Sequence, residues 1–130
     1  MTIDVKLWQA YSDPYFRFEG KIKYENFAII TAWNPRSVWL SPNENYRNNQ
    51  NLAAEIGHTC CMLVDVGNFD FSWCEQSFAA EISQSRALEL GQKYGQNAIY
   101  YVHREQLFLL SCLEQKQAKV LLGEWRHRCI

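Results

Sequence analysis

The stretch FAIITAWNPRSVWLSPNENYRNNQNLAAEIG (residues 27–57) decides the fold. Its first seven residues are apolar at both even and odd positions apart from Thr31, which is typical of a strand covered on both faces and therefore central in a sheet. The segment SPNE (residues 41–44) then forms a complete capping box, with Ser at the N-cap, Pro at the first helical position and Glu at the third. This pattern predicts a helix over residues 42–56, ended by the glycine that follows.

The patterns on either side of this stretch predict further strands and helices of ordinary length. Strands are expected over residues 60–66, 73–82, 97–103 and 106–112, helices over residues 4–12, from Ser83 as cap to Tyr94 and from Leu113 onward, and an extended, hairpin-like segment over residues 15–24.

The order of elements between residues 27 and 103 is strand, helix, strand, strand, helix, strand. It predicts a single α+β domain over residues 1–130, with an antiparallel sheet and two helices packed on one face. This is the ferredoxin-like split-βαβ order, extended by extra N- and C-terminal elements. Pairing of residues 15–24 with the strand that follows them would exclude the usual strand order, so the topology is left open.

Composition predicts a soluble, cytoplasmic protein with a packed core. The 130 residues are 48% hydrophobic and 15% aromatic, and the formal net charge is -1, so neither nucleic acid nor a membrane surface is expected as a partner. The five cysteines are an odd number without CxxC spacing, which favours a reducing compartment. The N-terminus lacks the pattern of a signal peptide. No Gly-rich nucleotide loop or metal-ligand spacing is present, so no cofactor and no metal are expected.

Polar residues cluster where the central strand is followed by the capped helix. Amides recur at Asn45 and at Asn48 or Asn49 on the inner face of that helix, while the strand over residues 73–82 carries Glu75 and Ser77 on one side. Buried amides need partners, and these are either a ligand or the loop itself. The predicted ligand-binding residues are Asn34, Arg36, Asn45, Arg47, Asn48, Glu75 and Ser77. The arginines and the helix N-terminus favour a polar or anionic small molecule.

Four motifs carry a family resemblance: TAWNPRS (31–37), ENYRNN (44–49), WCEQSF (73–78) and YGQNA (94–98). In this order and spacing they resemble a bacterial family of small cytoplasmic proteins of unknown function, over roughly residues 4–110. The resemblance implies no activity. It implies that the residues matching the family pattern are Asn34, Pro35, Glu44, Asn45, Asn48, Trp73, Glu75, Ser77, Phe78, Gln96 and Asn97. The sequence departs from that pattern at residues 36–39, where the family is often smaller and richer in Gly.

Three functional hypotheses follow from these residues. The first is a regulatory domain that binds a small polar molecule or a protein segment. The second is a hydrolase or transferase with Glu75 as general base, for which a raised pKa of this carboxyl would be required. Ser77 has no GxSxG motif around it and no evident histidine partner. The third is a homodimer formed through an exposed edge strand at residues 106–112.

Overall fold

A computed structural model describes residues 4–113 and 118–130. In chain order its helices and strands are α1 (Val5–Tyr11), β1 (Tyr15–Phe18), β2 (Asn26–Ile30), a 3-10 helix (Pro35–Ser37), α2 (Pro42–Ile56), β3 (Cys61–Gly67), β4 (Cys74–Ala80), α3 (Gln84–Lys93), β5 (Ala98–His103), β6 (Gln106–Ser111), β7 (Lys119–Glu124) and a second 3-10 helix (Trp125–Arg128). No helix in this described part of the chain is long and apolar enough to cross a membrane.

Side-chain caps fix the starts of the three helices. The Ser41 hydroxyl accepts from the backbone N–H of Glu44 at 3.2 Å, which confirms the predicted N-cap and the bounds of α2. The Glu44 carboxylate accepts from the Ser41 hydroxyl at 3.0 Å, where a complete capping box would have it accept from the Ser41 backbone N–H. Asp4 caps α1, and Ser83 caps α3 by accepting from the N–H of Arg86 at 3.1 Å.

The sheet contains seven antiparallel strands in the order β1-β3-β4-β2-β5-β6-β7. Strand β2 lies in the middle, as predicted, because Ala28 pairs with Ala80 of β4 on one side and with Tyr101 of β5 on the other. The helix α3 packs tightly on the sheet. A β-carbon on its Gly91 would lie 2.6 Å from the sulfur of Cys112, so only glycine permits this approach.

Apolar residues fill both faces of the sheet. One core lies between the sheet and the two helices α2 and α3, and includes Ile30, Leu52 and Leu90. The other lies on the opposite, concave face, where Phe16, Phe27 and Trp125 pack together with their neighbours. The sheet curls around this second core, and its two ends meet where Phe16 bridges Cys129 and accepts from the N–H of Ile130 at 2.9 Å.

The expected ferredoxin-like sandwich is therefore wrong. The sheet has seven strands and is curled into a half-barrel, where an open ferredoxin-like sheet was expected, and the described residues contain α1 as a third helix beside α2 and α3. The physical reason is the amount of aromatic surface on the concave face. Large side chains such as Trp125 and Phe16 would face water in an open sheet, and the curl buries them.

Two further expectations are also wrong. The C-terminal segment is not helical, since residues 119–124 form β7; residues 114–117 of that expectation lie outside the described part. Strand β6 is not an edge strand because β5 and β7 pair with it on either side, which removes the premise of a homodimer through residues 106–112. The pairing of β1, which the sequence left open, is also settled: β1 pairs with β3 and not with β2.

Candidate functional site

A cavity of about 320 Å³ lies at one end of the half-barrel, where β2 and β3 end and β4 and β5 begin. We call it the Glu75 cavity. The helix α1 and the loop between β2 and α2 cover it from outside. Its lining residues are Leu7, Ala10, Tyr11, Pro14, Ile29, Ile30, Thr31, Asn34, Ser37, Trp39, Val66, Gly67, Trp73, Glu75, Ser77, Gln96, Asn97, Ala98, Ile99 and Tyr100.

Glu75 is the carboxylate in this lining. Burial raises its pKa from the ordinary 4.5 to about 7, and side-chain hydrogen bonding from Asn34 offsets part of that shift. Within residues 4–113 and 118–130, Glu75 forms no ion pair. Glu75 also affects the neighbouring Tyr100. Burial, and after it the charge of Glu75, raises the pKa of the Tyr100 hydroxyl. The cavity thus contains an acidic group without a described ionic partner.

Hydroxyl and amide groups tie α1 to the sheet beside the cavity. The Tyr100 hydroxyl donates to the backbone carbonyl of Tyr11 at 2.6 Å. The Tyr11 hydroxyl lies 2.6 Å from that of Ser37 and accepts from the side-chain amide of Asn97 at 3.2 Å. These bonds hold a helix with no buried residue of its own over the mouth of the cavity.

The loop that covers the cavity has a constrained backbone. Asn34, Arg36 and Ser37 all have positive φ, at 44°, 57° and 59°. For Arg and Ser this costs about 1–3 kcal/mol each, so the surroundings must hold the conformation in place. One such contact is the backbone N–H of Arg36, which donates to the carbonyl of Gly95 at 2.7 Å. Gly95 itself has a φ of 68°, and a β-carbon there would lie 3.1 Å from Pro35.

Asn34 and Asn45 form a paired amide contact that closes this loop. The backbone N–H of Asn34 donates to the Asn45 side chain at 2.8 Å, and the Asn45 amide donates back to the Asn34 side chain at 2.9 Å. The Asn34 oxygen also accepts from the N–H of Leu40 at 3.0 Å. Asn34 lines the cavity, whereas Asn45 is only 2% exposed and lies behind it.

A second amide, Asn49, has the same role one helical turn further along α2. Its oxygen accepts from the N–H of Ala32 at 2.8 Å, and its nitrogen donates to the carbonyl of Gln76 at 2.8 Å. Sequence spacing had left Asn48 and Asn49 as alternatives for this inner position. The structure places Asn49 inside with Asn45, four residues earlier, and leaves Asn48 partly exposed.

The predicted site residues therefore divide into three groups. Asn34, Glu75 and Ser77 line the cavity, and the Ser77 hydroxyl donates to the backbone carbonyl of Glu75 at 3.2 Å. The helical asparagines lie outside the lining. Arg36 and Arg47 are exposed and also lie outside it, so the structure does not bring them together with Glu75.

Sequence reasoning missed several residues of the lining. Tyr11, Trp39 and Tyr100 belong to it, as does Asn97, which the motif resemblance named but the predicted ligand-binding set left out. Trp39 is 75% exposed and Trp73 is 40% exposed, which places both rings at the mouth. The one available signal was Trp39, an aromatic side chain in a loop between two polar stretches. Tyr11 could not be found because α1 reaches the cavity only through tertiary contacts.

The geometry of the cavity can be compared with the needs of two kinds of ligand, a metal ion and an organic molecule. Among the described residues, no group of three His, Cys, Asp or Glu side chains lies close enough to hold a metal ion. Apolar walls with convergent amide, hydroxyl and carboxyl groups suit an organic molecule of modest size.

An antiparallel half-barrel with a covered cavity at one end is the class of protein that this fold and site define. The chain belongs to the family described as "Protein of unknown function (DUF3293)", whose family model matches residues 30–99, more than half of the chain. Comparison with curated proteins and with solved structures gives no match. The matched segment includes Asn34, Glu75 and Ser77, whereas α1 and Tyr100 lie outside it.

Proposed function

We propose that the protein is a binding domain for a small organic molecule, which occupies the Glu75 cavity. The observation that carries the proposal is a covered cavity of about 320 Å³ with apolar walls and a partly buried carboxyl group at its polar end. Cavities of this size and composition are typical of small-molecule sites, and carboxyl groups with shifted pKa values concentrate at such sites.

The chemistry of the lining narrows the expected ligand. Arg36 and Arg47, which favoured an anion in the sequence, are exposed and do not line the cavity. We therefore propose a ligand with an apolar body and few polar groups, in place of the anionic ligand that the sequence favoured. A bacterial origin and a cytoplasmic location belong to the same proposal; their support is the motif resemblance and the odd number of five cysteines, all free.

A fragment screen by ligand-observed NMR tests this function. The key variant is Ala98→Leu, because Ala98 lines the cavity and the larger side chain fills space that is already empty. We expect fragments that bind the wild-type protein to lose binding to this variant, while its folded spectrum persists. The matched control is Ala54→Leu, on an exposed position of α2 outside the lining, which leaves binding unchanged.

Two outcomes would overturn the proposal. One is a screen in which no fragment binds the wild-type protein. The other is a set of fragments that bind the Ala98→Leu variant as well as they bind the wild type, since those fragments would occupy another surface.

A second candidate function is catalysis with Glu75 as general acid or base. It is favoured by the raised pKa of about 7, because a proton-transfer group works best when its pKa lies near the working pH. The two candidates differ in what happens to the bound compound. A binding domain returns its ligand unchanged, whereas an enzyme converts it, and spectra of the ligand after long incubation with the protein distinguish the two.

A further inference from the structure

Charge and aromatic surface in the Glu75 cavity point to the chemical class of the ligand, an inference that rests on the proposed function. We propose that the ligand is an amine, protonated at neutral pH and attached to an apolar body, which places its ammonium group against Glu75.

The first argument is the sign of the charge. The described lining of the cavity contains the Glu75 carboxylate and no Lys, Arg or His side chain. An anionic ligand would bring a second negative charge into a partly dry space, where repulsion is stronger than in water. A neutral ligand would leave Glu75 either protonated or charged without an opposite charge, and so would not use the charge that this group can carry. A cation supplies the missing partner, and a charge-assisted hydrogen bond to a carboxylate is about twice as strong as a neutral one.

The second argument is the aromatic lining. Four aromatic rings, those of Tyr11, Trp39, Trp73 and Tyr100, belong to it. At the mouth Trp39 is mostly exposed and Trp73 is 40% exposed, an unusual place for two such large apolar side chains unless something covers them. Trp and Tyr faces attract ammonium groups, by about 0.5–2 kcal/mol each depending on how dry the site is. The same rings also provide apolar contact for the body of the ligand.

The other titratable groups near Glu75 leave its charge unbalanced. Tyr11 and Tyr100 line the same cavity from α1 and β5. Burial and then the charge of Glu75 raise the pKa of Tyr100, so its hydroxyl stays neutral at pH 7. The charges of Asp13 and Arg128 also influence the pKa of Tyr100, but these two side chains form an ion pair with each other at 2.9 Å. Neither of them lines the cavity.

Three probes that share a phenylethyl body and differ in charge test the inference: phenethylamine, 2-phenylethanol and 3-phenylpropionate. Isothermal titration at pH 7 should give binding of the amine at least about tenfold tighter than binding of the alcohol, and none of the acid. Because the pKa of Glu75 is about 7, the amine should also release about half a proton on binding. Titration in phosphate and in MOPS buffer, neither of which contains a primary amine, measures that release through their different heats of ionisation.

The matched variant is Glu75→Gln, which keeps the size of the side chain and removes its charge. We expect the preference for amine over alcohol to disappear, together with the proton release. The comparison of the three probes on the wild-type protein needs no variant and stands even if Glu75→Gln were to fold poorly.

The outcomes separate this inference from the proposed function. The alcohol could bind as tightly as the amine, with proton uptake in place of release. Glu75 would then act as a hydrogen-bond donor, so the inference of an amine ligand would be wrong. The cavity would remain a small-molecule binding site. The amine inference would also be wrong, and the binding site would stand, if none of the three probes binds but other fragments bind the wild-type protein and not the Ala98→Leu variant. If no fragment at all depends on Ala98, both proposals fail.

Discussion

At the scale of single residues, Glu75 shows how a strand position can become a functional group. It occupies the second position of β4, where the sheet ends and water would normally solvate a carboxylate. Here α1 and the loop after β2 cover that end, and the loss of water raises the pKa of Glu75 to about 7. The sequence identified the residue, because Glu75 and Ser77 share one side of a predicted strand. The sequence could not show that α1 and the loop after β2 cover this residue, and it is this cover that raises the pKa of Glu75.

Glu75 should make the free energy of unfolding depend on pH. A carboxyl whose pKa is raised by folding stabilises the protein below its unfolded pKa of about 4.5, and this contribution is lost as the pH rises through about 7. Because Gln does not titrate, the free energy of unfolding of Glu75→Gln should rise relative to that of the wild type by about 3 kcal/mol from pH 4.5 to pH 7.5. Urea denaturation at a series of pH values measures this difference.

The control for this pH dependence is Glu25→Gln, the same chemical change at an exposed position. It should give a pH profile parallel to that of the wild type. A Glu75→Gln profile that also runs parallel to the wild type would show that the Glu75 carboxyl is not desolvated.

At the scale of elements, the helix α2 combines two kinds of inner surface. Its C-terminal half presents Leu52 and Ile56 to the core, and its N-terminal half presents Asn45 and Asn49 to backbone groups between β2 and α2. Those backbone groups have no strand partner, because the chain leaves the sheet there. The amides replace the missing sheet hydrogen bonds. The sequence left two interpretations of these asparagines, binding of a ligand and closure of the loop. The contacts of Asn45 in the folded protein are those of loop closure.

Asn45→Ala should destabilise the protein through this loop. The substitution leaves the buried N–H of Asn34 and the Asn34 side-chain oxygen each without one partner, at a cost of about 2–3 kcal/mol in the free energy of unfolding. The matched control is Asn48→Ala on the same helix, at a partly exposed position, with an expected change within about 0.5 kcal/mol. Denaturant unfolding of both variants measures the difference. Equal losses would mean that the amide pair contributes nothing beyond helix propensity.

At the scale of the whole molecule, the curl of the sheet links the two cores to the cavity. Aromatic side chains of the concave face fill most of the half-barrel, and Trp125 packs edge-on against Phe18 and Phe27. At the end where β2 and β3 stop, that filling is incomplete, and the cavity is the space that remains. The curl that buries the C-terminal aromatic residue thus also forms the candidate site.

Trp125→Ala should show how much the half-barrel depends on its C-terminal segment. Trp125 is 4% exposed, so its removal leaves a large hole in the concave core and should lower the free energy of unfolding by about 3–5 kcal/mol. Trp39→Ala deletes the same ring from a position that is 75% exposed, and should change stability by less than about 1 kcal/mol. Thermal or urea unfolding compares the two. A small loss for Trp125→Ala would mean that the concave core is not closed by this residue.

The candidate site was found only in part from sequence, for reasons that differ between residues. Asn34, Glu75 and Ser77 could be found because each lies at the end of a strand that periodicity predicts. Arg36 and Arg47 were placed beside them by closeness in sequence alone. In the structure, positive φ values turn the loop at Arg36, whose side chain is exposed, and Arg47 lies on the outer side of α2.

The sequence by itself determined the serine caps of α2 and α3, the full extent of α2 and the central position of β2, and it assigned the chain to a family of unknown function. These features depend on neighbours within one or two turns of helix or along one strand, where local hydrogen bonds and apolar periodicity suffice. Only the tertiary structure decided the width and curl of the sheet, the position of α1 and the Glu75 cavity. Those features depend on contacts such as Phe16 with Cys129, and Tyr11 with Tyr100, between residues far apart in the chain. Their formation depends on which apolar surfaces the whole molecule must bury together.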